Sequence, residues 1–356
     1  MYHISFCTTC MNRLHHLKQT LLRNITDNSD YEKLEFVLLD YNSNDGLIDY
    51  VKGTLMPYIK NGKLRYYRTE EPVHYNMSHS RNIAFKLAQG DIVCNIDADN
   101  YTSKEFAQYV NAIFEKNQAI FLSTHHNRQV KNDALGRICV KKEDFLAVGG
   151  YDEQMKHYGF DDYDFANRLS MYGLKPFTIQ SPEFLLAIPH SDQERMANVP
   201  EKNVLHRLLI RYNTPAESEL LLLFADGQYR RATMVSNFVS NALNPSSNRS
   251  TQYRFSIKER QWESGHWRLK GQNFRFVSDI SGNFELKKVG SQQRWQDRSG
   301  LVYYGLESQQ QQETILFFYN QLSNRNIMEE NLRERRILAN HSGFGQTRLV
   351  PINLNV

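Results

Sequence analysis

Two carboxylates, Asp97 and Asp99, close an apolar run that begins after Gly90 and passes through Ile92, Val93, Cys94, Asn95 and Ile96. Ile92, Cys94 and Ile96 fall on one face of an extended chain and Val93, Asn95 and Asp97 on the other, so the run is expected to be an interior strand of an α/β sheet. Strand periodicity then points Asp97 and Asp99 the same way. Carboxylates at the C-terminal end of a parallel strand sit where open α/β sheets bind ligands, and their hard oxygens suit Mg²⁺ or Mn²⁺ bridging to phosphate. The simplest use of the pair is a nucleotide-diphosphate site. Aspartate also caps helices, but Thr102 and Glu105 are spaced as a capping box ahead of Phe106, Val110 and Ile113, which frees both aspartates from that duty.

The elements that must position this pair come before it. Tyr2, Ile4 and Phe6 alternate into Thr8, and Arg13 precedes Leu14, Leu17 and Leu21 at helical spacing, which predicts strand, loop and helix. Leu34 to Asp40 is a second strand, followed by a loop of turn formers that includes Asn42. Lys63 to Arg68 is a third, and Ser78 is placed to cap a helix carrying Arg81, Ile83, Ala84 and Leu87. Strands alternating with helices predict a mainly parallel sheet whose strand tips bring Thr8 with Arg13, Asp40 with Asn42, and Asp97 with Asp99 to one edge.

Further on, a strand and short helix end in Gly149-Gly150, and a helix start is crowded with Asp161, Asp162 and Asp164. Three carboxylates exceed what capping a helix requires. Leu185 to His190 reads as one more strand, ending in a histidine.

Composition describes an ordinary soluble chain of 356 residues, 40% hydrophobic and 23% charged, long enough for two domains. A net charge of +4, with no block of Lys and Arg, argues against a nucleic-acid partner or a polybasic membrane anchor. The longest apolar run, Leu220 to Ala225, is too short to span a bilayer and Tyr2 to Thr9 reads as a strand rather than a signal, so cytoplasmic residence is the expectation, with peripheral membrane association left open. Four scattered cysteines argue against disulfides, and Cys7 and Cys10 lack a second pair to complete a zinc site.

The order Asn12-Arg13, Asp40, Asp97-x-Asp99, Gly149-Gly150-Tyr-Asp, Gly159-Phe-Asp161-Asp162 and His190-Ser191 resembles GT-A fold glycosyltransferases over roughly residues 1–205. It is similar to bacterial family 2 enzymes and to the catalytic half of the beta-1,4-galactosyltransferases. The resemblance implies that Thr8, Arg13 and Asp40, with Asn42 and Arg81 beside them, hold a UDP-sugar. It further implies that Asp97, Asp99 and His190 ligate Mn²⁺ or Mg²⁺, that Asp162 is the catalytic base, and that Tyr158 and Asp161 meet a saccharide acceptor. Asp164 has no counterpart role and is expected to tolerate Asn. Tyr158 and Phe160 depart from the Trp and Gly of the galactosyltransferases, and Ala187 from their metal-binding Met, so acceptor identity does not transfer.

From about Glu217 the pattern changes to short alternating runs, among them Tyr253, Phe255 and Ile257, then Phe274 and Phe276, then Phe284 and Leu286, separated by turn signals. The expected organisation is a catalytic domain over 1–212, an inserted all-β sandwich or barrel over 217–307, and a C-terminal helical segment over 313–356 returning to the first domain. Gln309 to Gln312 reads as a border loop, and the helix as Ile315 to Ile337. Trp262, Trp267 and Trp295 fit either the core of the module or a sugar-stacking face. The reading reached is a metal-dependent inverting glycosyltransferase acting from a UDP-sugar on a saccharide, in bacterial surface polysaccharide synthesis. A nucleotidyltransferase and a catalytically degenerate sugar-binding protein are the alternatives. The former should carry a Gly- and Lys-rich phosphate loop after the first strand, and Thr8 to Arg13 has none.

Overall fold

The computed structural model describes residues 1–124, 134–189, 194, 200–236, 255–259 and 261–351. Its chain divides into two compact units, residues 1–191 with 327–356, and residues 192–326.

Among the described residues of the first unit the strands form one seven-stranded sheet in the order β3-β2-β1-β4-β6-β5-β7. They are β1 (Ile4–Cys10), β2 (Leu34–Tyr41), β3 (Leu64–Thr69), β4 (Ile92–Asn95), β5 (Ile120–Ser123), β6 (Cys139–Lys141) and β7 (Lys175–Thr178). Strands β3, β2, β1 and β4 are mutually parallel, whereas β6 is antiparallel to both β4 and β5, so the sheet is mixed. Both faces are covered, which is why the central strands are buried throughout rather than alternately exposed. Ile92, Cys94 and Ile96 pack with the first helix, Leu14–Asp27, and with Phe106, Val110 and Phe114 on one face. Val93, with Cys7, Val37 and Leu39, packs against Ile83 to Phe85 of the helix Met77–Leu87 on the other. All four cysteines are buried and unpaired, and burial pushes the Cys7 and Cys10 thiols up, the latter to about 12.

Two helix starts differ from expectation, for one physical reason. The helix after β4 is Phe106–Lys116, preceded by Glu105 in left-handed backbone (φ 64°), and the expected Thr102–Glu105 box is not its cap. Asn28, far away in sequence, accepts from the Ala107 N–H at 2.9 Å and donates to the Thr102 hydroxyl. Likewise the helix Met77–Leu87 is capped by Asn76, whose side chain accepts from the His79 N–H, and not by Ser78. Any oxygen that reaches the orphan N–H groups serves, wherever it lies in the chain.

The last part of the chain is integral to this unit. Asn340 donates to the carbonyls of Gly149 and Tyr151 and accepts from the Glu153 N–H. A Cβ on Gly149 (φ +73°) would lie 2.2 Å from the Ala339 carbonyl oxygen, and one on Gly150 (φ +68°) would meet the Asn82 amide oxygen and the Phe344 ring. That close approach, together with the left-handed φ, accounts for the Gly-Gly pair. Beyond it, Thr347 bonds Thr69, and Leu349 bridges to Thr69 beside β3, an edge strand of the sheet.

The second unit is an all-antiparallel barrel of β8 (Leu205–Thr214), β9 (Glu217–Phe224), β10 (Gln228–Ser236), β11 (Phe255–Ile257), β12 (Glu263–Lys270), β13 (Asn273–Ser278), β14 (Asn283–Lys288), β15 (Arg294–Gln296) and β16 (Val302–Gly305). Pairing of β10 with β9 as well as with β12 closes the sheet. Because β8 pairs with β9 and β16, the barrel takes in residues before the expected start at 217, and the expected boundary at 212 cuts through that strand. Leu221 and Leu223 face inward against Phe274, Phe276 and Leu286. Leu220, Leu222 and Phe224 face outward against Ile315, Leu316 and Tyr319 of the helix Gln309–Arg333. That second cover explains why β9 is leucine-rich on both faces. The glutamine run 309–312, expected as a border loop, is instead the first turn of this helix. Trp295 is buried in the barrel core, Trp267 packs half-buried beside it, and Trp262 packs edge-on against Tyr319. Residues 244–250, the other expected border, lie outside the described residues, as does Tyr253. No described helix is long and apolar enough to cross a membrane.

Candidate functional site

Strand geometry stops at Asn95, so the period-two expectation for the two aspartates does not hold. Residues 97–100 form a turn closed by the Asn100 N–H donating to the Asp97 carbonyl at 2.9 Å. The first helix fixes this turn from below: Thr20 donates its hydroxyl to the Ala98 carbonyl at 2.7 Å, and the Asn24 amide donates to the Asn100 carbonyl at 2.9 Å. Asp97 is thereby turned toward the helix Met77–Leu87, and Asp99 accepts from its neighbour Asn100 at 2.8 Å.

Arg81 is the centre of the site. Its side chain is 3% exposed and meets three carboxylates. One guanidinium nitrogen, Nη1, donates to Asp161 at 2.5 Å and to Asp162 at 2.7 Å, and the other, Nη2, to Asp97 at 3.0 Å. The guanidinium lies over the buried Tyr151 ring at 5.5 Å. Asn95 donates to the same Asp97 oxygen at 2.9 Å and to the Gly136 carbonyl at 3.0 Å. A Cβ on Gly136 would lie 2.7 Å from both the Arg81 guanidinium and Asp97, so this close approach requires glycine. The helix Asp161–Tyr172 delivers its two carboxylates through an unusual entry: Gly159 (φ 90°) and then Phe160 (φ 66°) are both left-handed, a conformation that costs a phenylalanine on the order of 1–3 kcal/mol.

One buried cation against three carboxylates leaves an excess of negative charge. Burial pushes the Asp162 carboxyl well above its usual range; Arg81 opposes this, while Asp161 and Asp97 add to it. Asp161 is raised for the same leading reason. Burial alone would lower Arg81, yet Asp162, Asp97 and Asp161 together hold it well above its ordinary value, so it stays charged. A further cation at this spot would bring both aspartates back toward ionisation.

The other expected residues separate into two groups. Thr8 is buried near the end of β1, and Arg13 caps the first helix with its backbone. Asn12 and Asn42 both have left-handed φ, and together with Ser43 they tie the loops after β1 and β2: Asn12 N–H donates to the Ser43 hydroxyl, and Asn12 accepts from the Asn44 N–H. Asn42 donates to the Pro72 carbonyl. Asp40 is fully buried, with both oxygens engaged, one by the Ser43 N–H and the other by the Tyr66 hydroxyl and Arg68. It shapes the loop rather than presenting a free oxygen. Tyr158 is half-buried just before the Gly159–Phe160 turn. His190 lies outside the described residues; the chain before it runs antiparallel to the Asp99 turn, with the Ile188 N–H on the Asp99 carbonyl.

Asp164 is not the indifferent position expected. It is 1% exposed, accepts from Arg168 at 2.7 Å and from Asn331 at 2.9 Å, and so belongs to the framework. Two residues of the site escaped the sequence reading. They are Asn95, which was placed only on one face of the strand, and Arg137, to which no role was given. Arg137 is fully buried, donates to Asn100 at 3.2 Å, and lies over the Phe106 ring. Burial lowers it to about 10. An arginine directly ahead of the apolar run Ile138 to Val140 was the available signal.

Residues 5–172 match the family model for glycosyl transferase family 2. No curated protein sequence matches the chain. Among solved structures it is similar to a mannosyltransferase, PcManGT from Pyrobaculum calidifontis in complex with GDP-Man and Mn²⁺, at 21% identity and a TM-score of 0.45, with 55% of this chain aligned to 60% of that one. TarS 1-349 from S. aureus in complex with UDP aligns at 17% identity and a TM-score of 0.39, over 50% of this chain and 61% of that one. The catalytic domain of Drosophila beta1,4galactosyltransferase 7 aligns at 14% identity and a TM-score of 0.39, over 56% and 75%. The chain thus spans about 60% of the length of the mannosyltransferase it matches.

Proposed function

We propose that residues 5–172, which match the family model for glycosyl transferase family 2, form a glycosyltransferase domain, and that the chain transfers a sugar from a UDP-sugar to a saccharide acceptor, with inversion and with a divalent metal. The observation that carries this reading is the convergence of Asp97, Asp161 and Asp162 on buried Arg81. Thr8, Arg13 and Asn42 line the nucleoside side, with Asp40 acting through the loop it holds. Asp97 and Asp99, with His190, supply hard ligands, and the surplus of carboxylate over guanidinium suits Mn²⁺ or Mg²⁺. When bound, that ion would offset diphosphate charge as UDP leaves. Arg81 keeps Asp97 on one side and Asp162 on the other at fixed separation, so donor and base are positioned by one rigid group. Asp162 takes the proton of the acceptor hydroxyl on the face opposite UDP, and Tyr158 and Asp161 border the acceptor. The product would enter bacterial surface polysaccharide, made in the cytoplasm.

UDP binding should depend on Mn²⁺ or Mg²⁺ and be lost in Asp99→Asn. Calorimetry settles this: equal UDP affinity in EDTA and in Mn²⁺ would remove the metal from the reading. We further propose that the β-rich unit is separable from donor chemistry. A chain in which residues 205–308 are replaced by a Gly/Ser linker should still hydrolyse UDP-sugar, and a soluble but inert product would assign the barrel to the catalytic machinery.

A further inference from the structure

The interior of the barrel changes character along its axis. At one end Phe274, Phe276, Leu286 and Trp295 fill it as an apolar core. At the other, the same inward-facing rows of β8, β9, β10 and β12 continue as Arg211, Glu219, Arg231 and Glu263. These charges surround a cavity of about 160 Å³, also lined by Glu259 and Tyr303.

Each charge is held in place. Arg211 donates to Glu219 at 2.8 Å, and Arg231 donates to Glu263 through two nitrogens at 2.5 and 2.9 Å. The Tyr303 hydroxyl donates to Glu219, and the Tyr229 hydroxyl and Ser278 donate to Glu263. Glu259 accepts from the Thr233 N–H and hydroxyl. Both guanidiniums lie over rings, Arg211 over Tyr303 at 5.1 Å and Arg231 over Phe284 at 4.5 Å.

Stability does not account for this end of the barrel. Ion pairs this exposed, at 12–23% of their side-chain surface, contribute little, and the far end shows that this barrel packs well with aromatic residues. The cavity is open to solvent beside exposed Glu259 and is large enough for several waters. Barrels of this size hold a single small ligand at the mouth.

We propose that this cavity is a second saccharide site, built wholly from residues of the 192–326 unit, which takes a neutral sugar ring. Guanidinium N–H donors, carboxylate acceptors and a phenol that does both match vicinal hydroxyls, which donate and accept in turn. The lining carboxylates, Glu219, Glu259 and Glu263, outnumber the guanidiniums, so a phosphate or uronate is rejected and a neutral ring admitted. The ligand chemistry is common to a free sugar and to the end of a glycan. The proposal rests on the glycosyltransferase reading only in expecting a sugar as the natural ligand.

The test uses the full chain in EDTA without nucleotide. Ligand-observed NMR and calorimetry are run with glucose, galactose, N-acetylglucosamine and N-acetylgalactosamine, with oligosaccharides of each, and with glucuronate and inorganic phosphate. At least one neutral sugar should bind, and glucuronate and phosphate should not. Glu219→Gln and Tyr303→Phe should each weaken binding about tenfold or more, as loss of one hydrogen bond involving a charged group does, with Mn²⁺-dependent UDP binding unchanged. Tighter binding of oligosaccharide than monosaccharide identifies a glycan end, and equal binding a free sugar. The proposal is overturned if no neutral sugar binds, if only an anion binds, or if both variants, shown folded by their UDP binding, bind sugar as the parent does. Sugar binding in EDTA by a chain that fails to bind UDP would leave this site standing and sink the donor reading alone.

Discussion

Asp162→Asn should lower kcat by roughly 10²- to 10⁴-fold, the ordinary contribution of a general base, while UDP affinity stays within about threefold, under roughly 0.7 kcal/mol. The change keeps the side chain's shape and its contact with Arg81 but removes the group that takes the proton. A pH profile gives a second check. Burial holds Asp162 above the usual carboxylate range, so transfer by the parent enzyme should fall as pH drops through that raised value, and the acid limb should vanish from the residual activity of the variant. Bound metal works in the opposite direction, drawing the limb to lower pH as its concentration rises. Near-normal transfer by Asp162→Asn, or retention of the donor's anomeric configuration in the product, would remove Asp162 from the role of base.

Asp164→Asn, two residues on, should do the reverse: cost stability and leave the chemistry of the folded fraction intact. Arg168 is fully buried and Asp164 is its carboxylate partner at 2.7 Å. Among the described residues its other contacts, to the Val148 carbonyl and over the Phe165 ring, carry no countercharge. Asn in place of Asp164 strands that cation, at a cost of about 3–5 kcal/mol, a large part of the ~5–15 kcal/mol by which a domain is stable. Denaturant midpoint and thermal melting measure it directly. A variant that melts like the parent yet transfers no sugar would reverse the assignments of the two aspartates.

That pair shows what was legible in the sequence and what was not. The spacing of Ile92, Val93, Cys94 and Ile96 placed a central strand correctly, and its two faces lie against two different helices. The acidic cluster at 161–164 was visible as more carboxylate than a helix cap requires, but its members are sorted by two different arginines, Arg81 and Arg168. No local pattern announces that. Caps failed for a related reason: Asn28 and Asn76 outcompete Thr102 and Ser78 because tertiary packing brings them to the open N–H groups. Periodicity reports which face of an element is buried, and is silent on hydrogen bonds made across long stretches of sequence. The glutamine run at 309–312 misled through composition, since glutamine is a good helix former once packing supports the turn after it.

The bonds from Asn340 to Gly149 and Tyr151 have a consequence for biosynthesis. Residues 327–351 leave the ribosome only after the entire barrel has been translated, which takes on the order of ten seconds or more at ~5–20 residues per second. Through that interval the β3 edge has no Leu349 beside it and the Gly149–Gly150 turn has no Phe344 or Asn340 to hold it. Tyr151, the ring beneath Arg81, is already held by Asn82 and packed on Phe85 and Phe165, and lacks only the bond from Asn340. A chain stalled within the barrel would therefore carry every proposed catalytic side chain on a sheet whose β3 edge and Gly149–Gly150 turn still lack their last partners.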